Sequence, residues 1–208
     1  CERGIRAFIH APYLVNLGSP TAATYEKSVA VVAHNLRRAA EIGAEGVVVH
    51  TGSFVDPSTD TAQSQERYAA AMRQVREGLL PLLETLGEQD EAPWLLLEPT
   101  AGQGRSLCAG VEDLDPYLAA LDFHPRAGIC LDTCHVFAAG APLDEPGGAT
   151  ATELGDVAGT RLFLRVDLNV RAAAGSLMAP SIRSVMVRRS SRTRRGGQAP
   201  MQPAVTGL

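Results

Sequence analysis

The stretch AAEIGAEGVVVHTGS, Ala39 to Ser53, decides the reading of this chain. It opens on the last turn of a helical pattern and reaches Gly43, a residue suited to the left-handed conformation that ends helices. Val47, Val48 and Val49 follow as a β-branched run of the kind buried in a sheet. The run stops at a polar residue, His50, and Gly52 to Asp60 is a loop of small and polar residues.

Working outward, the same phrase recurs. Upstream, Val29, Val32, Ala33, Leu36, Ala39 and Ala40 recur at helical spacing and predict a helix over about Ala22 to Ile42, after a short extended run from Ile5 to His10. Downstream, a helix is expected over about Ala62 to Leu86, with Tyr68, Met72, Val75, Leu79, Leu80 and Leu83 on one side and Pro81 placed to bend or split it. Trp94 to Leu97 reads as a strand ending at Glu98, and Thr100 to Ser106 as a glycine-containing loop. Val111 to Leu121 reads as a helix, Gly128 to Leu131 as a strand ending at Asp132, and Arg161 to Val166 as a last strand. Strands alternating with helices argue for a parallel sheet. About five strands are recognisable, whereas a closed barrel of parallel strands has eight and runs to about 250 residues; the expectation is an incomplete barrel in 208 residues.

Composition sets limits. The formal net charge of -4 supplies no strong global attraction to nucleic acid, although a local basic cleft can sit on an acidic body. Cys1, Cys108, Cys130 and Cys134 are irregularly spaced and read as reduced thiols of a cytoplasmic protein; Cys130 and Cys134, among apolar neighbours, read as buried and inert. No apolar run is long enough to span a bilayer. From Val166 onward periodicity fades, and Arg188, Arg189, Arg192, Arg194 and Arg195 stand among Ser, Gly and Pro. This divides the chain into a barrel-like segment, 1–165, and a divergent, poorly packed or disordered tail, 166–208. A solvated charge run is the favoured reading of the arginines, electrostatic binding of nucleic acid the sharper one.

Polar residues at strand ends carry the chemical argument. His10, His50, Glu98 and Asp132 each sit where a strand gives way to a loop, and in a parallel barrel those ends converge on one face. His135 follows Asp132 by three residues, a spacing that one helical turn brings to one side. All five are oxygen or nitrogen donors that zinc accepts, and together they could hold more than one ion. Taken singly, each has a plainer use. A histidine after a strand is often a hydrogen-bonded structural residue, and an Asp before a Thr is often a helix cap. Tyr13 and Leu14, in HAPYLVNLGSP, are a ring and an aliphatic chain on a loop at the barrel mouth. They are placed either to wedge into a base stack or to pack against the next helix. TAGQG, Thr100 to Gly104, lacks the GK[ST] of a phosphate-binding loop.

Four segments carry a family resemblance: FIHAPYLVNLGSP (Phe8–Pro20), VVVHTGS (Val47–Ser53), LLLEPTAGQG (Leu95–Gly104) and GICLDTCHVFAAG (Gly128–Gly140). In this order they resemble the successive signatures of endonuclease IV, and the resemblance runs to about Arg165. It implies an α/β TIM barrel of the xylose-isomerase-like type. It also implies a zinc-dependent enzyme that hydrolyses the phosphodiester on the 5′ side of abasic sites and trims blocked 3′ ends in base excision repair. The implied partner is double-stranded DNA, the implied state a monomer, and the implied cofactor three zinc ions. His10, His50 and Glu98 resemble the ligands of the first ion. Glu98, the central catalytic residue, would bridge to a second ion also held by Asp132. His135 resembles a ligand of the third, and Tyr13 and Leu14 resemble residues placed beside the damaged nucleotide.

The sequence departs from that pattern in places. Thr51 stands where the family usually has proline, and Pro99 where it usually has asparagine. The family follows its next strand with a histidine and an Asn-Asp pair; here the text is LFLRVDLN, no histidine follows His135, and Glu153 is the last glutamate. The abrupt change after a good family strand suggests a translated wrong reading frame, which sequencing the underlying DNA tests. Two other readings compete: a sugar-isomerase-like metal-dependent barrel, and a non-catalytic nucleic-acid-binding remnant that uses the arginine tail.

Overall fold

The computed structural model describes residues 6–55, 59–86, 91–102, 104–110, 113–140, 161–166 and 183–187. Its elements are β1 (Phe8–His10), α1 (Ala22–Ile42), β2 (Gly46–His50), α2 (Thr61–Leu86), β3 (Trp94–Glu98), α3 (Leu114–Ala120), β4 (Ala127–Asp132), α4 (Thr133–Ala138), β5 (Arg161–Val166) and β6 (Arg183–Val187). They build one sheet of order β1-β2-β3-β4-β5-β6. The first five strands are mutually parallel, and each neighbour follows the last in sequence, as in a TIM barrel. The sheet does not close, because no pairing joins β1 to β6 among the described residues. The fold is an incomplete TIM barrel, an open arc of five parallel strands edged by one antiparallel strand.

Local chemistry explains the boundaries. Gly43 ends α1 at φ 67°, and Ala44 N–H returns to the Ala39 carbonyl at 2.8 Å, the expected left-handed stop. The helix places Val32, Leu36 and Ala39 in the core. In α2 the buried positions are Ala71, Val75, Gly78, Leu79 and Leu83; Tyr68 and Met72 pack at the margin. Pro81 neither splits nor ends α2, which runs on to Leu86. Proline costs a helix one N–H and some crowding, and the core contacts of Leu79 and Leu83 on either side hold the helix through it. The third helix begins at Leu114, so Pro116 falls within its first turn, where a missing N–H is harmless.

Strand alternation sorts the sheet into two faces. Val47, Val49, Leu95, Leu97, Ile129 and Leu131 join the helices in the main core. Val48, Leu96 and Cys130 form a smaller cluster on the opposite face, with Phe8 and Trp94 packed against it. Register steps across the sheet: Val48 pairs with Leu96 and His50 with Glu98, whereas His10 pairs with Val48.

Beyond Val166 the described residues include one further strand: Arg183–Val187 pairs antiparallel to β5, from Leu162 opposite Val187 to Val166 opposite Arg183. RSVMV is short and is flanked by arginines and serines, which hid its β-branched pair. The arginine cluster from Arg188 to Arg195 lies outside the described residues, as do Val111 and Glu112 of the expected third helix and Glu153. Cys108, Cys130 and Cys134 carry reduced thiols; Cys130 is buried and Cys134 half-buried. Among the described residues no helix is long and apolar enough to cross a membrane.

Candidate metal centre

Four of the five donor residues are set by one geometric rule. Side chains two apart on a strand share a face. Phe8, Val48, Leu96 and Cys130 belong to the smaller, inward cluster. His10, His50, Glu98 and Asp132 each stand two residues further along the same four strands. The rule that buries one apolar layer therefore lifts four donors into the next layer, at the C-terminal ends of β1 to β4.

His135 arrives by a different route. Chain direction changes at Asp132, which is both the last residue of β4 and the N-cap of α4. Its Oδ1 accepts the Cys134 N–H at 2.8 Å. His135 is then in the first turn of α4, and its Nδ1 lies 3.1 Å from the Pro99 carbonyl. Asp132 thus fulfils the plain reading, a helix cap, with one oxygen, and still offers a donor atom to the cluster.

Glu98 is the centre. Its side chain is wholly buried. Oε2 faces His10 Nε2 at 2.9 Å and His50 Nε2 at 3.4 Å. Oε1 makes no hydrogen bond, and His135 Nδ1 stands off from it at 3.6 Å. The rings of His10 and His50 meet edge-on at 5.1 Å, and those of His50 and His135 at 5.4 Å. Burial pushes the Glu98 carboxyl upward, but hydrogen bonds and charge from His10 and His50 outweigh it and bring its pKa down to about 2. It is therefore a carboxylate at neutral pH.

Donor atoms fall into two groups, each with its atoms within 4.8 Å of one another: His10, His50 and Glu98; and Glu98, Asp132 and His135. Glu98 belongs to both. A buried carboxylate with one oxygen unpartnered is costly unless a cation completes it, so the set fits divalent metal. Nδ1 of His10 lies 2.7 Å from the Ala11 carbonyl, and a backbone carbonyl at Nδ1 of this kind leaves Nε2 as the ligating atom.

The loops around this face are tied together. Asn16 Oδ1 accepts from Gly18 N–H at 3.1 Å and Ser53 N–H at 2.9 Å, joining the loop after β1 to the loop after β2. Ser53 and Ser106 form a short antiparallel bridge to the loop after β3. Between the pinned residues Val15 and Leu17 and the strand end, Tyr13 is 78% and Leu14 72% exposed. The loop does pack against the next helix, where Asn16 N–H donates to Ser28 Oγ at 2.9 Å, while these two side chains stay exposed. Sequence reading missed Asn16, Thr51 and the Pro99 carbonyl, because their roles are backbone contacts between distant loops and leave no composition signal.

A model of the xylose isomerase-like TIM barrel family matches residues 2–169. A probable endonuclease 4 from Streptomyces avermitilis is 55% identical over 148 residues, covering 71% of this chain and 45% of that protein. The crystal structure of endonuclease IV from Thermus thermophilus superposes with a TM-score of 0.58 at 37% identity, covering 75% of this chain and 50% of the other. A 3-keto-D-glucoside 4-epimerase from E. coli gives a TM-score of 0.59 at 17% identity, over 85% of this chain and 65% of the other, a likeness of fold alone. The chain spans about half the length of the curated relatives it matches. With its four signatures, its sheet order and its shared carboxylate, the chain belongs to the xylose isomerase-like TIM barrel family and, within it, to endonuclease IV.

Proposed function

We propose that this chain carries two zinc positions of an endonuclease acting on abasic sites in double-stranded DNA, His10, His50 and Glu98 holding one ion and Glu98, Asp132 and His135 the other. The observation that carries the reading is the buried Glu98, whose Oε2 serves the first group and whose Oε1 is left without a hydrogen bond beside the second. The donors are histidine and carboxylate, a set zinc takes up readily. Zinc so placed supplies Lewis-acid stabilisation to a phosphodiester and acidifies water.

The chain's own residues do the rest. The Ala11 and Pro99 carbonyls orient the His10 and His135 rings. Asp132 fixes the start of α4 and, with it, His135. Tyr13 and Leu14 stand ready to fill the gap left where a base is missing, and such a nucleotide costs less to extrude than a paired one. The same centre suits blocked 3′ ends, whose removal is also phosphodiester hydrolysis. The third ion implied by the family has no third donor group among the described residues.

Zinc content and binding to abasic and intact duplexes, measured on one sample of the folded chain, test the reading. Two zinc ions per chain with preferential binding to abasic duplex at fixed salt are expected. Absence of bound zinc, with binding that ignores the lesion, would overturn it.

A further inference from the structure

A buried polar knot lies beside the strand ends that carry His50 and Glu98. Thr51 is wholly buried, and each of its polar groups is engaged. Its N–H donates to the Glu98 carbonyl at 3.2 Å, its hydroxyl donates to the Cys108 carbonyl at 3.1 Å, and its own carbonyl accepts the Tyr117 hydroxyl at 3.1 Å. The Cys108 carbonyl also accepts from Thr100 N–H and from the Ser106 hydroxyl, both at 3.0 Å. Thr100 and Ser106 join through their hydroxyls at 2.6 Å. Tyr117, in α3, is itself wholly buried, and burial raises its phenol pKa far enough to keep it a neutral donor.

A threonine and a tyrosine are expensive to bury unless every polar atom is bonded, and a fully bonded network fixes one geometry. Here the geometry it fixes is that of the ligands. Thr51 follows His50 directly, and its N–H grips the carbonyl of Glu98, the register partner of His50. We propose that Thr51 is a positioning residue of the metal centre, anchored on α3 by Tyr117, and that it holds His50 and Glu98 at the separation one ion requires. The inference rests on the two-zinc reading above. Groups that orient ligands contribute about 10- to 100-fold to metal affinity when lost, and sites of this kind need ligands held within about 0.5 Å.

Thr51→Val keeps size and backbone N–H and removes the hydroxyl; Thr51→Ser keeps the hydroxyl. Zinc affinity, from competition with a chelator, and the absorption spectrum of the cobalt-substituted full chain are the readouts. Thr51→Val is expected to bind zinc about tenfold more weakly and to shift the cobalt bands, with Thr51→Ser restored to within about threefold of the unmodified chain. Leu36→Val, a core substitution in α1, should lower Tm and move neither readout. A folded Thr51→Val with unchanged zinc affinity and cobalt spectrum overturns the inference and leaves the metal centre standing. If Thr51→Val does not fold, Tyr117→Phe, which removes the anchor alone, decides by the same two readouts. An unmodified chain that binds no zinc overturns the metal-centre reading itself, and this inference with it.

Discussion

His10 and Glu98 stand 88 residues apart in sequence, yet His10 Nε2 lies 2.9 Å from Glu98 Oε2. Two parallel strands, with β2 between them, bring the pair together at one end of the sheet. A proton between these atoms occupies the place a metal ion would take, so metal and proton compete for the same nitrogen lone pairs. Zinc affinity is accordingly expected to fall as pH is lowered. Chelator competition at pH 8, 7 and 6 checks this, and an affinity flat with pH would argue against histidine ligation.

Glu98→Gln keeps the shape and removes the charge. Because both donor groups share this side chain, the substitution should empty both positions rather than one. Metal analysis after dialysis should give well under one zinc per chain, whereas His135→Ala, which belongs to the second group alone, should retain about one, the first group being complete without it. Equal loss in the two variants would show that the groups are not separable.

The depressed Glu98 pKa has a consequence for the metal-free protein. Burial opposes ionisation, but the histidine partners win and bring the value to about 2, below the ordinary 4.5. A carboxylate lowered on folding contributes stability that is present above pH 4.5 and lost as pH falls through 2. A gap of this size corresponds to roughly 3 kcal/mol at most. Urea unfolding in chelator should show the advantage of the unmodified chain over Glu98→Gln shrinking between pH 5 and pH 2.5. A constant difference would contradict the assignment.

On the two-zinc reading Asp132 has two duties that chemistry separates. Asparagine caps a helix about as well as aspartate, whereas alanine does not. Asp132→Asn and Asp132→Ala should both lose metal from the second group. Only Asp132→Ala should also lose about 1 kcal/mol of stability through the broken bond to Cys134 N–H. Thermal melts in chelator distinguish the two.

Tyr13 is exposed, so its truncation costs the fold within about 0.5 kcal/mol. Its proposed contact with unstacked DNA is worth about 1–3 kcal/mol. Tyr13→Ala should therefore weaken binding to an abasic duplex about tenfold or more, with zinc content and Tm unchanged, and should leave the weaker binding to intact duplex nearly as it was. Equal weakening on both duplexes would assign the ring a general role.

Much of this was legible in the sequence, for identifiable reasons. The candidate ligands His10, His50, Glu98 and Asp132 sit at strand ends, and the strands are marked by apolar runs such as Val47 to Val49. Gly43 announces its helix end chemically. What stayed hidden depends on contacts between segments far apart in the chain. Nothing in the text VNLGS or HTGS says that Asn16 will accept the Ser53 N–H, or that Thr51 will be buried under Tyr117. The strand Arg183–Val187 was missed because its pattern is too short to stand out against polar flanks.

The two-residue step from the inward apolar layer to the donor layer carries a further meaning. A slip of one residue in the pairing of any two of these strands would turn a donor toward the helices and bring an apolar side chain to the mouth. Only the correct alignment of four separate strands assembles the donor set. On the two-zinc reading, metal uptake would be a proofreading signal for this chain's own folding, an ion retained at the mouth certifying that Phe8, Val48, Leu96 and Cys130 have found their common cluster below.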